Sequence, residues 1–161
     1  MTKPVINIEE LDYQPFPGEM PQSAKEKFGG AKMGQAGRVL GTKKLGYNVT
    51  VVPAGKSAFQ FHNHQVNEEM FFILEGEGTL RMGKETYPIK KGDFIACLPG
   101  GPENAHQIQN TSDAELKYIG VSTKESPEIA EYPDTNKFGV LAETFRFVGR
   151  IKDSLGYWDG E

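Results

Sequence analysis

Two histidines that are one residue apart give the sequence its clearest chemical signal. His62 and His64 lie in residues 55–76, GKSAFQFHNHQVNEEMFFILEG, and are followed by Glu68 and Glu69. Side chains at i and i+2 of a strand point to the same face, so the two imidazoles can converge if this stretch is a strand. Imidazole and carboxylate groups are good ligands for a divalent transition ion. The stretch is therefore a candidate metal site.

The histidine pair alone is weak evidence, because histidines at this spacing also lie on exposed strand faces. His106, the third histidine, lies far along the chain in another strand-like stretch. A closed sheet can bring His106 to the same point as the pair. The third imidazole and the carboxylate favour the metal site over the purely structural alternative.

Composition limits the class of protein. The chain has 161 residues, 37% hydrophobic and 25% charged, which suits a globular domain with a real core. The net charge is -4 and the basic residues are scattered, which argues against a nucleic-acid or anionic-membrane surface. The single cysteine, Cys97, excludes an internal disulfide, and its apolar surroundings predict a buried, inert thiol. With no secretory leader or membrane span in the sequence, we expect a cytoplasmic protein.

Short apolar runs bounded by glycine, proline, asparagine or aspartate indicate an all-β sandwich or barrel. No convincing long amphipathic helix interrupts this pattern. Residues 38–40 and 47–52 are predicted to form one hairpin, and residues 106–109 and 116–121 another. The remaining strands are predicted at residues 57–64, 69–74, 79–82, 85–89 and 94–98.

The two ends of the chain differ from this central pattern. Residues 1–37 are predicted to form an extended arm with one helical turn at 23–28, because its prolines prevent long helices. After residue 122 the sequence is polar and rich in turns, with a helical turn expected at 127–131 and a strand at 138–147. Trp158, beside Tyr157, is expected to be docked. We predict a single domain: arm 1–37, barrel 38–122 and C-terminal extension 123–161.

Two ordered motifs in the central region resemble those of the cupin family. The first cupin motif is a glycine, His-x-His, a glutamate and a further glycine. It is matched by Gly55, His62, His64, Glu69 and Gly76, with one residue more than usual between Gly55 and His62.

The second cupin motif is matched by Gly92, Pro99, Gly101, His106 and Asn110, with slightly long spacings before Pro99 and His106. The resemblance covers roughly residues 38–122. It implies an all-β, double-stranded β-helix (a jelly-roll barrel) with N- and C-terminal arms. More narrowly, the chain is similar to single-domain bacterial cupins labelled sugar-phosphate isomerases, through its YPDTNK stretch and its terminal YWDGE.

The resemblance implies that His62, His64, Glu69 and His106 bind one divalent ion. The glutamate-to-glycine spacing of the motif selects Glu69 rather than Glu68. Three imidazoles and one carboxylate suit manganese, iron, nickel, cobalt or zinc, so the donor set leaves the ion open. Positions left free on the ion would bind water or substrate.

The expected activity is a metal-dependent isomerase or epimerase acting on a sugar or sugar phosphate. The ion would polarise a substrate oxygen while a general base moves a proton between neighbouring carbons. Gln60 can orient substrate but cannot act as a base. Glu68, Glu103, Tyr47 and Tyr118 are the candidate bases.

Two other classes of function stay open: an iron-dependent dioxygenase of a small organic substrate, and a non-catalytic domain that binds or senses a small ligand. A phosphate would need cations, for which Lys56 and Arg81 are candidates, although both residue types are usually solvated. We expect a homodimer, because the apolar strand faces and aromatic arms need cover and dimers are the commonest closed oligomer.

Overall fold

The structure, a computed structural model, describes residues 4–16 and 18–161; the parts of the expected arm at residues 1–3 and 17 lie outside these ranges. Strands dominate the described residues. The helices are α1 (Gln22–Phe28) and α2 (Ala36–Val39), and the strands are β1 (Tyr13–Pro15), β2 (Lys32–Gly34), β3 (Leu45–Val52), β4 (Asn63–His64), β5 (Glu69–Glu75), β6 (Glu77–Met82), β7 (Glu85–Lys90), β8 (Phe94–Cys97), β9 (His106–Gln109), β10 (Leu116–Thr123), β11 (Glu128–Tyr132), β12 (Lys137–Leu141) and β13 (Arg146–Gly149).

The strands form a double-stranded β-helix, as the motifs predict. One sheet has six strands in the order β1-β2-β3-β10-β5-β8. The others have the orders β13-β12-β11-β4 and β7-β6-β9. These two smaller sheets meet where isolated bridges join Ser57 to Gln109 and His62 to His106. Together they form a second layer that faces the six-stranded sheet.

The core lies between the two layers. Val52, Ile73 and Leu116 of the six-stranded sheet are fully buried and belong to the same apolar cluster as Leu80 and Ile108 of the second layer. Each such side chain contributes about 1.5–3 kcal/mol by leaving water. This apolar packing fixes the separation of the layers, and therefore the distance between any side chains that meet across them.

The predicted N-terminal arm forms part of the six-stranded sheet. Its strand β1 pairs with β2, which pairs with β3 at the start of the barrel. The helical turn expected at residues 23–28 is confirmed by α1. Phe16 packs edge-on against Phe59, with ring centroids 4.9 Å apart. The arm therefore covers part of the second layer as well as extending the first.

Both predicted hairpins are wrong. Residues 38 and 39 are the last two residues of helix α2 and residue 40 follows it, so this segment does not pair with β3. The Thr42 hydroxyl donates to the Gly37 carbonyl of the same helix. Strand β9 pairs with β6, whereas β10 lies between β3 and β5 in the other sheet. The chain crosses from one layer to the other in the loop between β9 and β10. The local hydrophobic pattern cannot indicate such a crossing.

The C-terminal extension also differs from expectation. Residues 128–132 are strand β11 rather than a helical turn, because they pair with both β4 and β12. The strand expected at 138–147 is two strands, β12 and β13, and only Asn63–His64 is regular within the strand expected at 57–64. Trp158 and Tyr157 are 75% and 88% exposed in the single chain rather than docked, and the homodimer stays a prediction. No helix within residues 4–16 and 18–161 is long and apolar enough to cross a membrane.

Asn110 holds the loop where the chain changes layers. Its side chain is 1% exposed, and its amide nitrogen donates to the carbonyls of Val52 (2.9 Å) and Ala114 (2.7 Å). Its amide oxygen accepts from the backbone and hydroxyl of Ser112. Asn110 therefore shapes the turn after β9.

Replacing Asn110 with alanine should lower the free energy of unfolding by about 1–3 kcal/mol, because the carbonyl of Val52, in a buried hydrogen bond, and that of Ala114, in a part-buried one, lose their donor. Chemical denaturation measures this change. Asp113→Ala, at an exposed position in the same loop, is the matched control and should have little effect. Equal stability of the two variants would show that Asn110 does not hold the turn.

Candidate metal centre

Three imidazoles gather around one carboxylate oxygen. The Nε2 atoms of His62, His64 and His106 lie 3.8, 3.5 and 3.0 Å from Oε2 of Glu69. The side chains of His62, His64 and Glu69 are 13–20% exposed, and that of His106 is 4% exposed. The four residues selected by the motifs are therefore together, partly shielded from water.

The cluster joins the two layers of the fold. Glu69 is the first residue of β5 in the six-stranded sheet, whereas His64 ends β4 and His106 begins β9. His62 is held beside His106 by two backbone hydrogen bonds of 3.2 and 2.7 Å. Convergence therefore depends on the packing of the layers rather than on strand alternation alone.

Backbone carbonyls orient two of the rings. Nδ1 of His62 lies 2.7 Å from the Gln60 carbonyl, and Nδ1 of His106 lies 3.3 Å from the Asn104 carbonyl. A carbonyl only accepts, so each Nδ1 is a donor, and each Nε2 faces the cluster, where it can bind a metal in its unprotonated form. Metal-binding histidines are commonly fixed in this way.

The electrostatics of the cluster favour the ligand-competent forms of Glu69 and His62 but not of His64. Burial opposes ionisation of Glu69, but hydrogen bonds from His106 and His64 outweigh it and hold the pKa of Glu69 well below its usual range. Burial, reinforced by the neighbouring His106, lowers the pKa of His62 to about 4. Burial disfavours the His64 imidazolium, but the Glu69 hydrogen bond and charge, with Glu128, raise the pKa of His64.

The donor set fits a divalent transition ion. Ligand atoms of His62, His64 and Glu69 all lie within 4.8 Å of one another, and these residues could hold a metal. His106 contributes a further Nε2 at 3.0 Å from the same carboxylate oxygen. Neutral imidazole and ionised carboxylate are the forms that bind metal, which agrees with the lowered pKa of His62 and of Glu69.

A small pocket reaches the cluster at His62. Its volume is about 220 Å³, and its walls come from the N-terminal arm, the segment before His62 and the C-terminal extension. The lining residues are Phe16, Met20, Ala58, Phe59, Gln60, His62 and Tyr132. Tyr132 stacks on His62 with ring centroids 6.2 Å apart, and Lys137 Nζ donates to Gln60 Oε1 at 3.2 Å.

The candidate catalytic residues do not all join this pocket. Gln60 lines it and is exposed. Glu68 is exposed, and its backbone N–H donates to the Thr123 hydroxyl. Tyr118 is 1% exposed and packs edge-on against Phe71 in the core, where burial raises the pKa of its hydroxyl. The surroundings of Tyr118 are those of a packing residue.

Both cations considered for a phosphate are engaged by the protein. Lys56 Nζ donates to the Glu26 carbonyl at 2.6 Å. Arg81 forms two hydrogen bonds to the Asp134 carboxylate, of 2.7 and 2.9 Å, and stacks on Phe61 at 3.6 Å from the ring centroid. Neither side chain is a free anion ligand in this arrangement.

Sequence reasoning missed three residues of the C-terminal extension that surround the cluster. Tyr132 and Lys137 lie beside the pocket, and Glu128 lies 3.7 Å from Nδ1 of His64. Tyr132 and Lys137 begin and end the YPDTNK stretch, but no motif there indicates a role for their side chains. Only the pairing of β11 with β4 brings them to the histidines.

A double-stranded β-helix with three histidines and one glutamate between its layers has the architecture of a cupin. Residues 48–122 match the family model described as a cupin domain. The chain therefore resembles the cupin superfamily in the sequence of these residues, and its fold resembles that of bacterial cupins named as sugar phosphate isomerases.

Two curated proteins and one solved structure are among those similar to this chain. It is 35% identical over 85 residues to an uncharacterised protein of Methanocaldococcus jannaschii, a match covering 50% of this chain and 65% of that protein. It is 34% identical over 70 residues to an oxalate-binding protein of Thermotoga maritima, covering 44% and 54% of the two chains. The matches thus span less than two thirds of these relatives.

The solved structure is a sugar phosphate isomerase of the cupin superfamily from Silicibacter pomeroyi. It superposes with a TM-score of 0.80 over 97% of this chain and 98% of that one, at 22% sequence identity. At this level of identity the likeness shows the fold.

The thiol of Cys97 should be inert in the folded protein. Cys97 is buried and pairs with Glu69 across β5 and β8, so burial, and secondarily the Glu69 charge, raise its pKa to about 12. Only a thiolate reacts with a disulfide reagent, so reaction should be negligible below about pH 10 and increase above it. Titration with a chromogenic disulfide at pH 8 should detect the thiol only after denaturant is added. Rapid reaction of the native protein would contradict this burial.

Proposed function

We propose that this protein is a metal-binding cupin that acts on a small molecule. The observation that carries the proposal is the convergence of three Nε2 atoms on one oxygen of Glu69. His62, His64, His106 and Glu69 would hold one ion of the group manganese, iron, nickel, cobalt or zinc. Such an ion, when bound, supplies Lewis-acid polarisation of a substrate oxygen.

The reaction that we propose is isomerisation or epimerisation of a sugar or sugar phosphate. The name of the Silicibacter pomeroyi structure supports this choice. Gln60 and Tyr132, at the pocket beside His62, can orient substrate hydroxyls. Burial raises the pKa of Tyr132, so its hydroxyl stays protonated and donates. Lys137, which donates a hydrogen bond to Gln60, can bind an anionic group of the substrate.

A second candidate function is supported by the lining of the same pocket. Phe16, Met20 and Phe59 give it apolar walls, and Glu68 and Tyr118 lie outside the cluster. A dioxygenase with iron at the centre, or a domain that only binds a small ligand, needs no general base from the protein. Similarity to the oxalate-binding protein of Thermotoga maritima also supports the ligand-binding alternative.

Two neighbouring glutamates offer a matched test of the metal site. Protein purified without an affinity tag should contain about one transition ion per chain, a stoichiometry expected for a single ligand cluster. Glu69→Gln, His62→Ala and His106→Ala should each lose most of it, because each removes a donor. Glu68→Gln removes a charge at the adjacent exposed position and should keep it. Elemental analysis of all five proteins measures the outcome.

The same measurement can contradict the metal proposal. Wild type that is empty, and stays empty after loading with each of the five divalent metals, would make the ligand-binding alternative the leading one. Equal loss in Glu68→Gln and Glu69→Gln would point to a nonspecific effect of charge. Circular dichroism of each variant separates loss of metal from loss of fold.

Solvent exchange tests the proposed reaction class. An isomerase that moves a proton between neighbouring carbons should incorporate deuterium from D₂O into an aldose, ketose or their phosphates, because the base exchanges its proton with solvent. Proton NMR of a substrate panel with metal-loaded protein should show this exchange, and Glu69→Gln should not support it. Oxygen consumption by iron-loaded protein without deuterium exchange would instead favour the dioxygenase.

A further inference from the structure

A strand outside the cupin-matched residues borders the metal centre. Strand β11 lies beyond residue 122, where the cupin match ends, and pairs with β4, the strand that contains His64. The register places Ala130 opposite His64 and Glu131 opposite Asn63. The His-x-His segment is therefore flanked by the C-terminal extension as well as by β9.

The first residue of β11, Glu128, is a buried carboxylate that holds the loop after His64. It is 4% exposed. Its Oε1 accepts backbone N–H bonds from Gln65 (3.0 Å), Val66 (3.3 Å) and its own neighbour Ile129 (2.7 Å). Its Oε2 accepts from the backbone N–H of Asn67 at 2.7 Å and from the Asn67 side-chain amide. These donors compensate the buried charge without a cation.

The same loop is attached to the end of β10 through Asn67. The Asn67 amide oxygen accepts from the Thr123 hydroxyl at 2.9 Å and from the Glu125 backbone N–H at 2.7 Å. The loop between His64 and Glu69 is thus fixed by residues that follow the cupin-matched region.

His64 differs from the other two histidines in its outer ring nitrogen. Nδ1 of His62 and of His106 each face a backbone carbonyl, whereas Nδ1 of His64 is buried without a hydrogen-bond partner among the described residues. Oε2 of Glu128 lies 3.7 Å from it, beyond hydrogen-bond length but close for a charge. A negative charge at this distance favours a proton on the facing nitrogen, and Glu69, 3.5 Å from Nε2, has the same effect on the other side of the ring, so the two carboxylates compete for the proton of His64.

We propose that Glu128 is a positioning residue for His64. Its carboxylate opposes the effect of Glu69 and stabilises the tautomer with the proton on Nδ1, in which the Nε2 lone pair is available at the metal position. Its bonds to the loop hold the His64 backbone in the same register. The C-terminal extension therefore completes a metal centre whose ligands all come from the cupin-matched residues. This inference deepens the proposed function and rests on it for the role of the metal.

The tautomer of His64 can be measured, and the Glu128→Gln substitution would not change it if Glu128 had only a structural role. Long-range ¹H–¹⁵N NMR of metal-free protein, at a pH where the ring is neutral, should show a larger fraction of the Nδ1–H form of His64 in wild type than in Glu128→Gln. Glu128→Gln should shift the ring towards the Nε2–H form. Glu131→Gln, which replaces the carboxylate that accepts from the Asn63 amide on the same strand, should leave the tautomer unchanged.

Metal affinity provides the second arm, measured by competition with a chromophoric chelator for Zn²⁺. Loss of a group that orients a ligand typically lowers metal affinity about 10–100-fold, and we expect this range for Glu128→Gln. Asn67→Ala keeps the carboxylate but removes one of its donors and loosens the same loop, so its affinity should fall less than that of Glu128→Gln. An equal loss in both variants, with the tautomer unchanged, would reduce Glu128 to a loop anchor.

The two arms separate this inference from the proposed function. Wild type with no detectable Nδ1–H form of His64 overturns the role of Glu128 even if the Glu128→Gln variant does not fold. Wild type that shows the Nδ1–H form but binds no metal overturns the metal function and leaves Glu128 setting only the tautomer. Wild type that binds metal, with tautomer and affinity unchanged in Glu128→Gln, overturns this inference alone.

Discussion

The buried carboxylate of Glu69 is the constraint on which this structure depends. An ionised group removed from water is costly unless partners compensate it, and here the partners are imidazoles from the opposite layer. The two layers must therefore pack in one relative position. Val52, Ile73 and Leu116 form the part of the apolar core that lies on the six-stranded sheet. Packing and site chemistry impose the same geometry, so neither can change without the other.

The local parts of this arrangement could be predicted from the sequence. The alternation and β-branched residues of 47–52 and the apolar run at 69–74 indicate strands, and β3 and β5 are found within two residues of these limits. The spacing of the cupin motif separates Glu69 from Glu68, and the structure brings Glu69 to the histidines while Glu68 is exposed. These features depend on side chains that are close together in the sequence.

The features that could not be predicted depend on pairing between distant segments. The hydrophobic pattern of residues 106–109 indicates a strand. It does not indicate that this strand pairs with β6 rather than with β10. Residues 127–131 contain a proline and two glutamates, which locally favour a helical turn. Backbone pairing with β4 and β12, and the N–H groups around Glu128, outweigh that preference. The role that we propose for the C-terminal extension at the metal centre could not be predicted for the same reason.

The pairing of β11 with β4 has a consequence for where this protein can be divided. A fragment cut at residue 122 would keep every proposed metal ligand, yet it would leave the outer edge of β4 and the N–H groups of residues 65–67 without partners. An unpaired strand edge is a template for association with other chains. The boundary of the cupin-matched region therefore divides a paired sheet, and we expect the folding unit to extend beyond it, so that a change in the extension should alter the proposed metal site.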